Sequence, residues 1–328
     1  MSRCNSAVLS ISYDACLTAK QAHSSAANPS VYHYDQPVMM PATIPSALRH
    51  VLVYGTLKRN QSNHRWIEGS TYLGRRYLIG AELHDLGPYP MALLTQDSDS
   101  VIHGELYRVN DRVLARLDQL EGYPVFYNRS ECQLSDGSTA WVYHGRREQV
   151  GDAPRVEMGT WATKPVLHYG SNLNPQRLMA RCADWGGEGE QVQLEDWSWA
   201  IDKQSYRKVG YGYAGIRPCP GAITLGVVTH LTARDITELD NAEGVRTGHY
   251  RHQRVRVRSS CGTTFEALVY VPCEAWRRSG LQAEADYVRH IFRGLDHWNL
   301  PVVWKNTIAD CLCTPAEVGI SCHVPSGC

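Results

Sequence analysis

Two stretches of the chain, GELYRVNDRVLARLDQLEG at residues 104–122 and GVVTHLTARDITELDNAEG at residues 226–244, repeat one pattern. Each begins with a glycine and carries a glutamate, Glu121 or Glu243, seventeen residues later, inside the motif Leu-Asp-x-x-Glu-Gly. The two glutamates are 122 residues apart, a spacing too long for a solenoid repeat and typical of a duplicated domain. The sequence therefore predicts two domains, each with one acid in the same place.

Each repeat changes from the periodicity of a strand to that of a helix. Residues 101–109 and 225–231 are typical of strands, and the apolar residues that follow them have helical spacing. Asn110 or Asp111 is the candidate N-cap of the first helix and Thr232 that of the second, and the glycine after each glutamate favours a C-terminal turn. At the end of its helix, each glutamate would face the negative end of the helix dipole, which disfavours the charged form of a carboxylate. This is an unusual position for a glutamate with no role beyond the surface.

A second repeated feature lies upstream of each glutamate. The segments VLVYGTLK (51–58) and VLHYGSNL (166–173) each run from a short apolar strand into a glycine, Gly55 or Gly170. Glycine allows a sharp turn and the close approach of a ligand, and successive N–H groups in such a turn can bind a carboxylate. One copy alone would indicate only the end of a strand. Two copies, each followed by a Glu-Gly, favour a binding site.

Composition limits the classes of function. Lysine plus arginine equals aspartate plus glutamate at 33 each, so no global field attracts nucleic acid or acidic membranes. No apolar run is long enough to span a membrane, and the first twenty residues, interrupted by Asp14, resemble neither a secretory signal nor an anchor. The eleven scattered cysteines suit free thiols in a reducing compartment. We therefore expect a cytoplasmic protein whose partners are small molecules, with neither nucleic acid nor membrane among them.

Changes of composition divide the chain into five segments. The predicted segments are a flexible extension at 1–48, a first domain at 49–148, a linker at 149–164, a second domain at 165–313 and a tail at 314–328. Because each repeat carries its own strand, turn and helix, we expect each half to fold alone.

Each repeated glutamate could be a general base, a metal ligand or a surface residue. Around Glu121 the apolar helix face, Tyr123 and Tyr127 predict a carboxyl pKa above its usual range, which suits an acid that takes and returns a proton near neutrality. Asp118 and Asp240, three residues before each glutamate, either cap or brace the helix locally or form a carboxylate pair with the glutamate. No histidine recurs at matched spacing beside the glutamates, so we expect no metal there.

Together these motifs resemble those of the gamma-glutamylcyclotransferase-like superfamily, over about residues 49–146 and again over about residues 165–312. The segment YGTLKRNQSNHRW at 54–66 resembles gamma-glutamylamine cyclotransferase, whereas YGSNLNP at 169–175 and EGVRTGHY at 243–250 resemble gamma-glutamylcyclotransferase itself. The resemblance implies an α+β fold of two tandem domains, each a small barrel of mixed sheet with inserted helices.

The resemblance also implies an enzyme that works without a cofactor, a transferase or carbon–nitrogen lyase of glutathione metabolism. One glutamate per domain, Glu121 or Glu243, would act as general acid and base while a gamma-glutamyl substrate closes to 5-oxoproline and releases an amine or amino acid. Backbone N–H groups of the two turns would hold the substrate's α-carboxylate. The implied substrate-binding residues are Tyr54, Gly55, Thr56, Leu57 and Tyr127 in the first domain and Tyr169, Gly170, Ser171, Asn172, Leu173 and Tyr250 in the second.

Two other functions remain open: removal of a gamma-glutamyl protecting group from a biosynthetic intermediate, and a non-catalytic module that binds acidic small molecules. The two sites also differ from each other. Residues 123–126 are apolar, which suits a hydrophobic amine as leaving group, and residues 245–249 are polar and basic, which suits an amino acid. Lys58 either adds a positive charge beside the first turn or points to solvent. We expect the first domain to prefer gamma-glutamyl amines and the second to prefer gamma-glutamyl amino acids.

Overall fold

A computed structural model describes residues 48–313. The predicted extension, apart from Leu48, and the predicted tail at 314–328 lie outside the described residues. The strands of the first half are β1 (Arg49–Val53), β2 (Thr71–Ile79), β3 (Ala81–Asp85), β4 (Pro90–Leu94), β5 (Val101–Val109), β6 (Asn128–Gln133) and β7 (Thr139–His144). Those of the second half are β8 (Lys164–His168), β9 (Glu190–Gln204), β10 (Gly212–Leu231), β11 (Tyr250–Ser259) and β12 (Thr264–Pro272). The α-helices are α1 (Asp111–Glu121), α2 (Arg147–Val150), α3 (Pro175–Met179), α4 (Ala233–Glu243), α5 (Ala285–His297) and α6 (Val302–Cys313).

The two halves share one strand order. The first sheet runs β2-β5-β1-β7-β6, and the second runs β9-β10-β8-β12-β11 when read from the equivalent strand. In each half the strand before the glycine turn, β1 or β8, pairs antiparallel with the strand that leads into the helix and parallel with β7 or β12. This matched topology is that of a duplicated domain, and it confirms the predicted α+β class with mixed sheets.

The two sheets close to different extents. In the second half, β11 pairs with β9 through Arg258 with Gln193 and Ser259 with Val192, which completes a closed barrel. In the first half the corresponding contact is a 3.0 Å hydrogen bond from the Ser135 N–H, in the turn after β6, to the Tyr77 carbonyl of β2. The first half is therefore a more open version of the same sheet.

The helices that carry the two glutamates begin and end as the sequence predicts. Asn110 caps α1 and Thr232 caps α4, each by accepting a hydrogen bond from an N–H of the first turn, at 2.9 and 3.1 Å. Each helix ends before a glycine in the left-handed conformation, Gly122 (φ 61°) or Gly244 (φ 68°). Glycine adopts this conformation without the steric cost that other residues carry, so the chain turns sharply just after each acid.

Apolar packing fixes α1 against the sheet. Val113, Leu114 and Leu117 are buried on one face of the helix and pack with Val51 and Val53 of β1. Burial of each such side chain contributes roughly 1.5–3 kcal/mol. The end of α1 is thereby held beside the turn that follows β1.

Several elements were not predicted from the sequence, including β2 and the helices α5 and α6, and two more concern the sheets. One is the ribbon of β3 and β4, which pair antiparallel over their whole length. The other is the long hairpin of β9 and β10, in which β10 begins at Gly212, well before the predicted start at residue 225.

The stretch predicted as a linker, 149–164, is held against the first half. The Asp85 N–H donates to the Pro154 carbonyl at 2.9 Å, and the Val156 N–H donates to the Leu83 carbonyl at 2.6 Å. Further along, the Trp161 carbonyl accepts a hydrogen bond from Lys58 Nζ at 2.7 Å. Residues 154–161 therefore pack against the first half, while Glu157 also pairs with Arg254 of β11 and residue 164 begins β8.

The two halves meet in an interface that is both apolar and polar. Tyr77 of β2 lies within the apolar core of the second half and stacks on Phe265 of β12, with 5.0 Å between ring centroids. His103 Nδ1 and His230 Nε2 share a hydrogen bond of 3.0 Å between two buried rings, and Arg59 pairs with Glu188 at 2.6 Å.

No helix between residues 48 and 313 has the length and apolar character needed to cross a membrane.

Candidate functional site

The turn after β1 presents unused backbone donors. The Lys58 N–H donates to the Gly55 carbonyl at 3.1 Å, and Asn63 ties down Thr56 through both its N–H (3.0 Å) and its side-chain amide (3.0 Å). Within residues 48–313 the N–H groups of Gly55, Thr56 and Leu57 donate to no acceptor. Three fixed and unused N–H groups form a site suited to an anion.

Close packing requires glycine at position 55. A Cβ on Gly55 would lie 2.9 Å from Cγ of Pro90, at the start of β4. Because a real Cβ does not approach another carbon so closely, any side chain at this position would displace the turn or the ribbon.

A cavity of about 160 Å³ lies between this turn and the end of α1. Every first-domain site residue predicted from the sequence lines it, namely Tyr54, Gly55, Thr56, Leu57, Glu121 and Tyr127. The lining residues that sequence reasoning missed include Asn63, Tyr89, Pro90 and Tyr143. Two of these belong to the ribbon segment, for which the sequence provided no motif.

The Glu121 carboxyl group has no neutralising partner. Within the described part of the chain it has neither an ion pair nor a hydrogen-bond donor, and burial raises its pKa from 4.5 to about 7. The nearby phenols donate elsewhere, Tyr54 Oη to the Tyr143 carbonyl at 2.7 Å and Tyr127 Oη to the Pro90 carbonyl at 3.2 Å. Both protonation states of Glu121 are therefore accessible near neutrality, as a general acid and base requires.

Lys58 does not point to solvent, so that interpretation of this residue is wrong, and it is not among the residues that line the cavity. Its side chain is buried and donates to the Trp161 carbonyl, while burial lowers its pKa to about 7. The lysine stem instead packs at the junction with the segment that leads into the second half.

The second site repeats this construction. Tyr169 Oη donates to the Tyr270 carbonyl at 2.5 Å, as Tyr54 does to the equivalent Tyr143, and Tyr250 Oη donates to the Ala214 carbonyl at 3.1 Å. The N–H groups of Gly170, Ser171 and Asn172 have no acceptor among the described residues, whereas that of Leu173 donates to the Gly170 carbonyl at 3.0 Å.

The second glutamate differs from the first because it is already paired. Glu243 Oε1 accepts hydrogen bonds from Asn172 Nδ2 at 2.9 Å and from Arg181 Nη1 at 2.8 Å. Arg181 Nη1 also donates to Asn172 Oδ1 at 2.8 Å. The turn, the arginine and the acid thus form one network. Arg181 was not predicted, because it lies outside the repeated motifs.

Asp118 and Asp240 brace the two sites, as predicted. Asp118 accepts a hydrogen bond from Tyr143 Oη and Asp240 accepts one from Tyr270 Oη, each at 2.6 Å. Each aspartate thereby ties the last turn of its helix to the strand whose carbonyl receives the site tyrosine. The duplicated bond fixes the position of the glutamate one turn further along.

Comparison with known proteins identifies the family. The family model for gamma-glutamyl cyclotransferase, AIG2-like, matches residues 51–163, and that of the AIG2-like family matches residues 224–304. The gamma-glutamylcyclotransferase family protein YtfP of Escherichia coli K12 is 34% identical over 111 residues, which cover 34% of this chain and 94% of that protein.

Two further relatives have more specific names. Gamma-glutamylaminecyclotransferase A of Danio rerio is 33% identical over 116 residues, covering 30% of this chain and 71% of that protein. The gamma-L-glutamyl-butirosin B gamma-glutamyl cyclotransferase of Niallia circulans is 34% identical over 129 residues, covering 36% of this chain and 79% of that protein. Two family matches on one chain, and two copies of one topology, lead to the same conclusion: the chain belongs to the gamma-glutamylcyclotransferase family as a tandem duplication and is an enzyme of that type.

Proposed function

We propose that the first half converts gamma-glutamyl amines to 5-oxoproline and a free amine, with Glu121 as the general acid and base. The observation that carries this proposal is an unpaired, partly buried carboxyl group that lines one cavity together with three unused N–H groups. The N–H groups of Gly55, Thr56 and Leu57 bind the substrate's α-carboxylate, which orients its α-ammonium group toward Glu121.

The reaction then needs no group beyond this acid. Glu121 takes a proton from the α-ammonium group, and the freed amine attacks the γ-carbonyl carbon to form the five-membered ring. The C–N bond to the leaving amine breaks as Glu121 returns the proton to that nitrogen. The ring nitrogen then loses its second proton to the released amine, which leaves as an ammonium ion. Much of the acceleration comes from holding the substrate's own nucleophile beside its carbonyl, since intramolecular reactions gain strongly from such placement.

The mouth of the first cavity supports an apolar leaving group. Phe126 lines the cavity, and Tyr123 and Val125 next to it are exposed, Val125 to 82%. No lysine or arginine is among the described residues that line this cavity. A hydrophobic amine can bury its chain against this wall, whereas an amino acid would bring a carboxylate with no cation to receive it.

We propose that the second half acts on gamma-glutamyl amino acids through Glu243. The repeated tyrosines and unused N–H groups support the same binding mode for the glutamyl part. The ion pair of Glu243 with Arg181 also favours a second candidate, in which this half binds such molecules without turning them over. In that case its glutamate would serve recognition alone.

Release of 5-oxoproline by single variants of the full chain tests these assignments. With gamma-glutamyl amines, Glu121→Gln should lower the rate about 10²–10⁴-fold, because it removes the proton acceptor, whereas Glu243→Gln should not. With gamma-glutamyl amino acids the order should reverse. Wild-type turnover by the double variant would exclude both glutamates as the catalytic acids, and identical substrate preferences in the two single variants would exclude a division of labour. A second half that is inactive in the Glu121→Gln variant but still binds gamma-glutamyl amino acids would indicate the binding module.

A further inference from the structure

The second half buries a lysine that has no ion-pair partner. Lys203, next to the end of β9, is only 2% exposed and is among the largest fully buried side chains. Lysine is almost never fully buried unless its charge is paired. Among the described residues Lys203 has no ion pair, and its Nζ makes one hydrogen bond, with His249 Nδ1 at 3.2 Å.

Aromatic rings surround the ammonium group. Nζ of Lys203 lies 4.7 Å from the ring centroid of Trp276, 5.4 Å from that of Tyr213 and 5.7 Å from that of Tyr250. Ring faces attract a cation but do not neutralise it. Burial and the nearby lysine lower the pKa of His249, so its neutral ring accepts only one of the three ammonium protons.

The lysine belongs to the second candidate site. The lysine faces the ring of Tyr250, which is one of the predicted site residues. Burial lowers the pKa of Lys203 to about 8, and the negative charge of Glu243 acts in the opposite direction by favouring the charged lysine. The carboxylate of the neighbouring Asp202 is already bound by Arg217 (2.6 Å) and by Arg277. The charge of Lys203 is therefore left for a ligand.

The position of the lysine separates it from the turn that would hold the glutamyl part. In the barrel, β10 lies between β8, which leads into that turn, and β9, which carries Lys203. A gamma-glutamyl amino acid has two carboxylates at its opposite ends, and a gamma-glutamyl amine has only one. A second anion site, set apart from the first, matches the longer and doubly charged substrate.

We propose that Lys203 binds the carboxylate of the amino acid leaving group, and that the second half thereby selects gamma-glutamyl amino acids over gamma-glutamyl amines. The inference rests on the function proposed above for this half. Lys203 is a specificity-determining residue in this scheme, and Trp276 and Tyr213 exclude water from its contact with the carboxylate.

Gamma-glutamylalanine and gamma-glutamylethylamine test the proposal, because they differ only in the leaving-group carboxylate. In the full chain with Glu121→Gln, which silences the first half, the alanine compound should have the higher kcat/KM by about 10-fold or more. Adding Lys203→Met, which keeps the length of the side chain and removes its charge, should lower kcat/KM about 10- to 100-fold for the alanine compound and less than about threefold for the ethylamine compound.

The control is Lys208→Met, in the same hairpin, since Lys208 is exposed and pairs with Glu284 away from the ammonium site. It should change neither value. Equal losses for both substrates after Lys203→Met would overturn the proposal, as would the absence of a preference in the Glu121→Gln parent. The substrate preference of the Glu121→Gln parent can be measured even if the Lys203→Met variant does not fold.

Failure of turnover is distinguishable from failure of recognition. If the Glu121→Gln chain releases no 5-oxoproline from either compound, turnover by the second half is wrong. Calorimetric binding of gamma-glutamylalanine to that chain, with and without Lys203→Met, then decides the role of the lysine. Loss of one binding site supports the proposal, and unchanged binding overturns it.

Discussion

At the scale of single residues, the two glutamates occupy equivalent backbone positions but have different surroundings. Glu121 and Glu243 each end a helix before a left-handed glycine, and each follows an aspartate that is bound to a tyrosine of the sheet. Burial without a partner raises the pKa of Glu121, whereas Glu243 is held by Arg181. The duplicated frame therefore conserves the location of the acid, and a single added cation changes its environment.

The pH dependence of the first half follows from the state of Glu121. With Glu243→Gln in place, kcat/KM for gamma-glutamylethylamine should fall about tenfold per unit as pH drops below about 7, since only the ionised carboxylate can accept the substrate's proton. Initial rates at low substrate between pH 5 and pH 8 measure this. A profile that stays level from pH 5 to pH 7 would mean that Glu121 titrates at its ordinary value or is not the base.

The same carboxyl group should lower the stability of the protein. Its folded-state pKa lies above the unfolded value, so the unfolded chain releases the proton first and stability falls as pH rises from 4.5 through about 7. Glu121→Gln should therefore raise the free energy of unfolding by about 1–3 kcal/mol at pH 8 and leave it unchanged below pH 4.5. Denaturant unfolding at both pH values tests this, with the exposed Glu148→Gln as control. A gain of the same size at pH 4 would point to a cause other than ionisation.

At the scale of elements, the sequence predicts the parts whose signals are local. Periodicity and residue types that fix the backbone conformation predict the helices α1 and α4, their caps and the glycine turns. Because the domain is duplicated, each of these signals occurs twice in the sequence. The β3–β4 ribbon and the start of β10 have no such signal. Lys203 and Arg181 were missed because both lie outside the repeated motifs and their partners come together only in the folded barrel.

The glycine after α1 positions Glu121, so replacing this glycine should lower activity as well as stability. Gly122 has φ 61°, and an added Cβ would lie 3.1 Å from Cβ of Phe126, which lines the cavity. Gly122→Ala should cost about 1–2 kcal/mol of stability and lower kcat by about tenfold or more, because the end of the helix must shift.

Gly137 offers a matched control for this substitution. It has φ 82° in the turn between β6 and β7, and an added Cβ would meet nothing within 4 Å. Gly137→Ala should cost a similar amount of stability, about 1 kcal/mol, with full activity. If both variants retain wild-type kcat, the exact position of the end of α1 does not matter for the reaction.

At the scale of the whole molecule, the halves are joined more closely than a polar linker implies. Tyr77 of the first half completes the core of the second, and residues 151–161 are held on the first half. Independent folding of each half remains a prediction. Its test should divide the chain near residue 163, where the first family match ends, rather than near residue 150.

The two buried histidines at the interface should also make the stability of the folded chain sensitive to acid. Burial lowers the pKa of His103 to about 3 and lowers that of His230 well below its usual range, so both rings are neutral in the folded chain. Both pKa values rise to the ordinary value of about 6.5 on unfolding, so the unfolded chain binds more protons and stability falls as pH drops below 6.5. Between pH 6.5 and 5.5 this loss should be about 1 kcal/mol for each histidine.

Denaturant unfolding of the full chain at the two pH values should show this loss of stability. The double variant His103→Gln/His230→Gln, which can keep a hydrogen bond without titrating, should lose about 2 kcal/mol less over the same interval. The buried His168 is present in both chains and contributes equally to each. Parallel pH dependence in the two chains would show that the histidine pair is not what makes the junction sensitive to acid.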